Sequence, residues 1–301
     1  MRLIFLGTPA FAVPTLEAMA RAGHEIPLVV TQPDRPRGRG QTAAAPPVKE
    51  AALRLGLEVY QPERVRRPEA VERLRAIGVD AMVVVGYGQI IPQNVIDLAP
   101  LGIINVHASL LPKYRGAGPI QWSIVNGEIH TGVTTMRIDA GLDTGDMLLK
   151  AETEIGPEEN AVELGRRLSV LGADLLVETL ARIHEIVPEK QDASQATYAP
   201  LLKKEDGVID WSRPASAIHN QVRGLQPWPG AYTTFRGQTL HIWNARVAAK
   251  ASLKPWAVAC GEGALELIEV QLEGRKRMSA ADFANGQRLT AEDRFATAPP
   301  A

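Results

Sequence analysis

Apolar runs alternate with amphipathic stretches along the first part of the chain. The runs RLIFLG, EIPLVVTQ, DAMVVVGYG and GIINVH are continuous, which is typical of strands that are buried on both faces. Between them, FAVPTLEAMARAG, VKEAALRLG and PEAVERLRAIG carry apolar residues near helical spacing. Strands and helices in this order predict a doubly wound, Rossmann-like α/β domain with a parallel sheet.

Two later segments, TGVTTMRID and GDMLLKAETEI, are predicted as antiparallel strands at one side of this sheet. The longest helical pattern in the chain follows them at residues 159–186. We predict that Asn160 caps this helix and that Glu163 completes a capping box. Its core-facing stripe is predicted to consist of Leu164, Leu168, Leu171, Leu175 and Ile183.

The pattern changes near residue 190. Residues 190–206 are mostly polar and lack periodicity, so they are the predicted linker. One helical stretch, PASAIHNQVRGL, and short strand-like pieces such as GAYTTF, QTLHIWNARV and ALELIEVQL follow. They predict a small β-barrel. The predicted domains are therefore 1–189 and 207–301.

The composition restricts where the protein can be located and which metal sites it can form. The chain of 301 residues is 45% hydrophobic, enough for one large or two ordinary domains. The apolar run before Gly7 is too short for a signal peptide, and no window approaches the ~18 apolar residues of a membrane span. We expect a cytoplasmic protein without membrane contact. The single cysteine, Cys260, excludes an internal disulfide and a multi-cysteine metal site.

The net charge of −1 conceals an asymmetry. Residues 1–199 hold 20 Lys and Arg against 24 Asp and Glu, whereas residues 200–301 hold 13 against 10. A mildly basic final third is a weak indication of a polyanionic partner.

Candidate chemistry begins at the end of the strand GIINVH. Asn105 and His107 occupy alternate positions and therefore share one strand face. The carboxyl end of a parallel strand is where such sheets bind ligands. The glycine-punctuated loop DAGLDTGD is predicted to return Asp143 to His107, where a carboxylate fixes the imidazole tautomer. These three side chains suit proton handling and oxyanion stabilisation.

Other site types lack their motifs. The first βα turn, GTPAF, has no G-x-G-x-x-G, and the chain has no P-loop, paired-histidine zinc motif or G-x-S-x-G elbow. Ser109 leaves open a serine nucleophile with His107 and Asp143, although without the strained elbow. The segment SLLPKYRGAGPI is predicted to form a pocket wall whose backbone groups bind a flat ligand.

NVHASLLPKYRGAGPIQW followed by DAGLDTGD resembles the formyltransferases that use 10-formyltetrahydrofolate, whose site carries an N-x-H strand end, an S-L-L-P loop and a D-x-G-x-D-x-G loop. FLGTPAFAVPTLEAM, VTQPDRPRGRG, KKEDGVIDW, RGLQPWPGAY and GRKRMSAADFANGQRL are similar to the members that act on initiator methionyl-tRNA. The resemblance covers nearly the whole chain. One departure is RGAGPI, where the family more often has R-G-A-A-P-I.

The resemblance implies a catalytic formyltransferase domain over 1–189 and an OB-like tRNA-binding domain over 207–301. It implies transfer of the formyl group of 10-formyltetrahydrofolate to the α-amino group of methionine on the tRNA, by a monomer without metal. Asn105 and a His107 N–H are expected to bind the oxyanion, and Asp143 to hold His107 and relay a proton. The implied folate wall consists of Ser109, Leu110, Leu111 and Pro112.

The segment DRPRGRGQTAAAPP is either a mobile surface loop or a phosphate-gripping arm, and the resemblance implies an arm at the acceptor end of the tRNA. Its arginines are Arg35, Arg37 and Arg39. Further contacts to the tRNA backbone are expected from Lys203, Lys204, Arg223, Arg275, Lys276 and Arg277. The alternative for these cations is a solvated face.

Three other functions remain open at this point. A formyltransferase acting on an amino sugar or a purine precursor would use the same Asn, His and Asp. A formyltetrahydrofolate hydrolase would release formate instead. A nucleic-acid-binding protein with an inactive catalytic fold would leave the constellation unexplained. The C-terminal domain and the arginine segment favour a tRNA acceptor, because a small amine needs neither.

Overall fold

The computed structural model describes residues 1–37, 42–248, 254–290, 293 and 295–296. Its strands are Arg2–Gly7 (β1), Glu25–Val30 (β2), Arg35–Arg37 (β3), Thr42–Ala44 (β4), Val59–Tyr60 (β5), Ala81–Val85 (β6), Ile103–His107 (β7), Arg115–Gly116 (β8), His130–Arg137 (β9), Met147–Glu154 (β10), Tyr198–Ala199 (β11), Ala231–Phe235 (β12), Gln238–Ala248 (β13), Ala257–Ala259 (β14), Ala264–Leu272 (β15), Met278–Ser279 (β16) and Phe295–Ala296 (β17). Its α-helices are Val13–Arg21 (α1), Pro47–Arg54 (α2), Pro68–Ile77 (α3), Gln93–Ile96 (α4), Pro119–Val125 (α5), Ala161–Ala181 (α6), Ala215–Gly224 (α7) and Ala280–Gln287 (α8).

The N-terminal sheet has seven strands in the order β10-β9-β7-β6-β1-β2-β5. Strands β7, β6, β1, β2 and β5 pair in parallel, and β9 pairs antiparallel to β7. The predicted Rossmann-like sheet with two strands added at one side is confirmed. The chain runs outward from β1 to β5 and then returns to β6, so the strand order reverses between β1 and β6. Ligands of such sheets bind outside the carboxyl ends of the strands at this point.

Burial explains why the strand runs are continuously apolar. All five residues of β6 are buried, and so are residues 3–7 of β1. A strand with no exposed position is covered on both faces, as the crossover helices of a parallel sheet require.

The first turn of α6 is held by a capping box. The Asn160 side-chain oxygen accepts hydrogen bonds from the backbone N–H of Val162 at 2.9 Å and of Glu163 at 3.1 Å. The Glu163 carboxylate accepts from the Asn160 N–H at 3.0 Å. The predicted cap is confirmed. Of the predicted stripe, Leu164, Leu168 and Leu175 are buried within the helix, Leu171 is half-buried, and Ile183 is buried just beyond its end.

The C-terminal sheet is antiparallel, with the order β14-β15-β13-β12-β17 and with β16 added to β15. Strand β13 changes register between Ile242 and Ala245. Such bulges bend a strand and let a sheet curl. Because β14 and β17 lie at the ends of the path, the predicted small barrel takes the form of an open half-barrel.

The chain packs as two compact units. One comprises residues 1–116, 131–153 and 165–198, and the other comprises 117–130, 154–164 and 199–301. A single linker at 190–206 does not describe this division fully, because two shorter segments of the N-terminal part belong to the second unit. No helix in the described part of the chain is long and apolar enough to cross a membrane.

The cap of α6 gives a prediction about stability. Asn160→Ala leaves the N–H groups of Val162 and Glu163 without their side-chain acceptor, so we expect the free energy of unfolding to fall by about 1 kcal/mol. Urea denaturation followed by circular dichroism measures this. Glu163→Gln is the matched control because Gln also completes a capping box, and equal losses in the two variants would contradict the assignment.

Candidate functional site

The carboxyl ends of β1, β6 and β7 lie side by side in the sheet. Asn105 is opposite Val84 of β6, and His107 is opposite Thr134 of β9. Because Asn105 and His107 are two residues apart in β7, their side chains emerge on the same face. The pair therefore lies at the edge of the sheet where ligands are expected.

His107 is held by groups at both ring nitrogens and is only 6% exposed. Its Nε2 lies 2.9 Å from the Tyr114 carbonyl oxygen, so Nε2 carries a hydrogen and donates it there. Its Nδ1 lies 3.7 Å from the Asp143 carboxylate. The Tyr114 carbonyl therefore fixes the tautomer, and Nδ1 is the nitrogen left to handle a proton.

This geometry corrects one detail of the sequence-based expectation. A His107 N–H was expected to bind the oxyanion, but the Nε2 hydrogen is taken up by the Tyr114 carbonyl. His107 could therefore donate to the oxyanion only through Nδ1, after that nitrogen has been protonated.

Asp143 is brought back to His107 by an ordered loop. The Asp143 Oδ2 accepts a hydrogen bond from the Gly116 backbone N–H at 2.8 Å. Within the loop, Asp139 accepts from the Gly141 N–H at 3.0 Å and from the Thr144 hydroxyl at 2.7 Å. A Cβ added to Gly145 would overlap the carbonyl oxygen of Arg137, so glycine is required where the loop packs against the end of β9 before it enters β10.

Two residues that contact His107 have left-handed backbones although they are not glycine. Tyr114 has φ of 61° and Asp143 has φ of 51°. Such residues cost free energy and persist where their surroundings fix them. The Tyr114 N–H donates to the Thr197 hydroxyl at 2.8 Å, which holds the Tyr114 peptide in place.

The surroundings of the Asn105 side chain differ from those of His107. Its side chain is half-buried, and within the described ranges no protein group forms a hydrogen bond with its amide. A partly desolvated amide without an internal partner is suited to bind a ligand.

Two residues of the predicted folate wall have buried side chains. Ser109 and Leu111 are each 1% exposed. The Ser109 hydroxyl donates to the Lys113 carbonyl at 2.6 Å, and Leu111 packs in a small cluster with Met136 and Met147. The side chains of Ser109 and Leu111 therefore point into the protein. Leu110 and Pro112 remain half-exposed and available.

The same contact bears on the serine nucleophile. A buried hydroxyl that donates its hydrogen to a carbonyl, away from His107, lacks the nucleophile–base hydrogen bond of a catalytic triad. The structure therefore does not place Ser109 as a nucleophile.

Three backbone or side-chain groups of the site were not anticipated from the sequence. They are the Tyr114 carbonyl, the Gly116 N–H and the Gln191 amide, which donates hydrogen bonds to the carbonyls of Asp143 and Gly145 in the Asp143 loop. The first two lie within the quoted SLLPKYRGAGPI segment, but nothing in the residue types indicates which backbone groups turn inward.

A cavity of about 570 Å³ opens beside the strand reversal between β1 and β6. Thr8 and Gln32, two of its lining residues, donate hydrogen bonds to the Tyr87 carbonyl at 2.9 and 3.2 Å. Burial raises the pKa of the Tyr87 phenol, so it stays neutral. Arg35 and Gly88 also line the cavity.

The arginine segment is partly strand rather than loop. Strands β3 and β4 pair antiparallel, with Arg35 opposite Ala44. Asp34, at their base, accepts hydrogen bonds from the side chains of Gln61 and Lys49, each at 2.7 Å. These bonds, the one from Gln61 first, hold the pKa of Asp34 below its usual value. Arg39 and the side chain of Arg37 lie outside the described residues.

The C-terminal unit carries exposed cations near one histidine. Lys203, Lys204, Arg275 and Lys276 are exposed, and Arg277 lies 3.6 Å from the centroid of the Trp243 ring. Burial lowers the pKa of His241, and the charges of Arg277 and Lys204 lower it further against the opposing effect of Glu273. Cations that are distant in sequence therefore act on the same ring.

Arg223 is a correction to the predicted tRNA contacts. It is 8% exposed, and its guanidinium donates to the carbonyl oxygens of Gly156 and Glu159 at 3.0 Å and to the Asn220 side chain. A buried guanidinium with these acceptors holds segments of the C-terminal unit together and does not face a phosphate backbone. No group of three or more His, Cys, Asp or Glu in the described ranges is arranged to hold a metal ion.

Family models match both parts of the chain. Residues 1–180 match the formyl transferase model, and residues 201–288 match the model of the formyl transferase C-terminal domain.

Individual formyltransferases are also similar to this chain, in sequence or in fold. The methionyl-tRNA formyltransferase of Solibacter usitatus is 77% identical over 98% of this chain and 98% of its own length. The solved methionyl-tRNA formyltransferase of Clostridium thermocellum has a TM-score of 0.60 at 18% identity, covering 90% of this chain and 98% of that chain. An N-formyltransferase of Helicobacter canadensis, solved with folinic acid and dTDP-3-aminofucose, has a TM-score of 0.65 at 17% identity and covers 92% of this chain and 99% of that chain.

Proposed function

The chain belongs to the formyl transferase family, and on that premise we infer that it formylates the α-amino group of methionine on initiator methionyl-tRNA. The observation that carries this conclusion is the 77% identity to the Solibacter usitatus methionyl-tRNA formyltransferase across 98% of both chains. The product, formylmethionyl-tRNA, serves translation initiation.

The alternative acceptors are less well supported. The likeness to a protein solved with a dTDP-amino sugar is at 17% identity and concerns the fold alone. High identity to the tRNA enzyme extends instead through the C-terminal unit, where exposed cations suit a polyanion. A free amino sugar or purine precursor offers no extended phosphate backbone for such a unit.

The formyl donor is a tetrahydrofolate derivative, and we propose 10-formyltetrahydrofolate specifically. Apolar side chains at the carboxyl edge of the sheet fit its flat ring system. Leu110 and Pro112 are half-exposed, Leu142 in the Asp143 loop is 59% exposed, and Ile90 after β6 is exposed as well. Large apolar side chains left open beside polar catalytic groups are typical of a ligand site.

We propose that Asn105 stabilises the oxyanion. As the methionine amine attacks the formyl carbon, the formyl oxygen acquires negative charge. In the described part of the chain the Asn105 amide has no hydrogen-bond partner, so it can donate to this oxygen without first breaking a hydrogen bond. Collapse of this tetrahedral intermediate breaks the bond between the formyl carbon and N10 of the folate, and N10 takes up a proton as tetrahydrofolate leaves.

His107 and Asp143 handle the proton that the attacking amine loses. The Tyr114 carbonyl holds the hydrogen on Nε2, so Nδ1 accepts the new proton, directly or through one water. The Asp143 carboxylate, 3.7 Å away, then faces the charged ring and stabilises it.

The acceptor end is proposed to enter the cavity at the strand reversal, guided by the phosphate-binding Arg35. Arg37, Arg39, Lys203, Lys204, Arg275, Lys276 and Arg277 are kept as proposed backbone contacts, and Arg223 is left out. Action as a cytoplasmic monomer is part of the same proposal.

The direct test is incubation with 10-formyltetrahydrofolate and charged initiator methionyl-tRNA, following loss of the free methionine amine by acid gel electrophoresis. We expect the charged initiator to be formylated. Uncharged tRNA and charged elongator tRNA are the controls. Formate release without any acceptor, or transfer to an amino sugar at a comparable rate, would contradict the proposal.

Removal of the oxyanion donor tests the role of Asn105. We expect Asn105→Ala to lower kcat by about 10²–10³-fold, because one preorganised donor is lost from the transition state. Single-turnover formylation measures the effect. Asn94→Ala, an exposed asparagine in α4, is the control and should retain wild-type kcat. A wild-type rate in the Asn105 variant would refute the role.

Arg35→Ala tests the acceptor path. We expect the KM for tRNA to rise and the KM for the folate donor to stay the same, because Arg35 is exposed at the cavity and positioned for a phosphate. The slope of log KM against log salt should change by about 1 when one phosphate contact is lost. Arg66→Ala removes another exposed arginine of the same unit and serves as the control. Equal weakening of tRNA and folate use would contradict the assignment.

A further inference from the structure

Gln191 connects two segments of the site without contacting the catalytic side chains. Its Nε2 donates hydrogen bonds to the backbone carbonyls of Asp143 at 2.8 Å and Gly145 at 2.7 Å. Its Oε1 accepts two hydrogen bonds from the Arg115 guanidinium, at 3.0 Å from Nε and 2.8 Å from Nη2. All hydrogen-bonding positions of the amide, two N–H groups and one carbonyl, are therefore in use.

Arg115 occupies a position between the two backbone groups that hold the catalytic pair. The residue before it, Tyr114, supplies the carbonyl that fixes His107, and the residue after it, Gly116, supplies the N–H that binds Asp143. Its own backbone N–H donates to the Thr197 carbonyl at 2.9 Å. The side chain is 5% exposed, and among described residues no carboxylate lies within ion-pair distance of it.

These contacts form a closed circuit of hydrogen bonds, because Arg115 and Gly116 are joined by a peptide bond. It runs from the Arg115 guanidinium to Gln191, from Gln191 to the Asp143 carbonyl, and from the Asp143 carboxylate to the Gly116 N–H. A cation on Oε1 polarises the amide and strengthens the donation from Nε2 to the loop. Because Asp143 has a left-handed backbone, its conformation needs such external support.

We propose that Gln191, anchored by Arg115, is a positioning residue for formyl transfer that holds the Asp143 carboxylate facing Nδ1 of His107. The proposal rests on the proposed function for its kinetic readout. Displacement of a catalytic group by about 1 Å lowers the rate roughly 10²-fold. Weaker support of the Asp143 loop is therefore expected to lower kcat before it weakens substrate binding. Gln191 itself touches no reacting atom.

Gln191→Glu tests the donor group of the amide separately from its acceptor oxygen. The variant keeps an oxygen for the Arg115 guanidinium but replaces the donor Nε2 by an oxygen that faces two carbonyls. We expect kcat to fall by about 10²-fold with KM for tRNA and for folate nearly unchanged. Gln195→Glu is the matched control, since Gln195 is exposed in the same segment and its side chain bonds only to Asp192 in the described structure.

A double-mutant cycle with Asp143→Asn distinguishes positioning from general support. If Gln191 acts through Asp143, the double variant is no slower than Asp143→Asn alone in single-turnover formylation. Additive losses, an unchanged kcat in Gln191→Glu, or a loss confined to KM would overturn the proposal.

Hydrogen–deuterium exchange supplies a readout that does not need activity. We expect faster exchange at residues 139–146 in Gln191→Glu than in Gln195→Glu, with α6 unchanged. If the two variants differ in exchange at residues 139–146 but the wild-type protein does not formylate the tRNA, the proposed function is contradicted. If the wild-type protein formylates the tRNA but the two variants exchange equally, the positioning role is overturned. Should Gln191→Glu fail to fold, Gln191→Ala, which removes the donor without adding a charge, is judged by the same outcomes.

Discussion

The site depends on one short segment, residues 114–116, which holds the imidazole and the carboxylate at once. The Tyr114 carbonyl accepts a hydrogen bond from His107 Nε2, and the Gly116 N–H donates a hydrogen bond to the Asp143 carboxylate. Because both contacts come from adjacent peptides, the distance between ring and carboxylate is set by backbone geometry. The side chains of His107 and Asp143, which are 36 residues apart in the sequence, are thereby both hydrogen-bonded to the same short segment.

Much of this arrangement could be predicted from the sequence, for identifiable reasons. Continuous apolar runs predict strands buried on both faces, and side-chain alternation places Asn105 and His107 on one face of β7. The Asn160 cap could be predicted because it is a local interaction over three residues. In each case the periodicity or the local spacing carries the signal.

The remainder could not be predicted, because it depends on irregular backbone or on tertiary partners. The wall from Ser109 to Pro112 has no period, so nothing indicates that Ser109 and Leu111 turn inward while Leu110 and Pro112 stay accessible. A backbone carbonyl is the same group at every residue, so the residue types do not indicate that the carbonyl of Tyr114, which has a left-handed φ of 61°, is the partner of His107. Arg223 resembles any surface cation until α7 places it on the carbonyls of Gly156 and Glu159.

The proposed formyl-transfer residues and the residues proposed to select the acceptor are different sets. Asn105, His107 and Asp143 all lie at the carboxyl edge of the N-terminal sheet, and a protein solved with a nucleotide-linked amino sugar shares this fold at only 17% identity. Formyl transfer requires the same charge stabilisation whatever amine attacks. Selection of the acceptor therefore has to come from groups outside the constellation. In this chain we propose that such groups are Arg35 at the cavity and the exposed cations of the C-terminal unit, which are suited to a phosphate backbone, whereas Asn105, His107 and Asp143 are the residues proposed to act on the transition state.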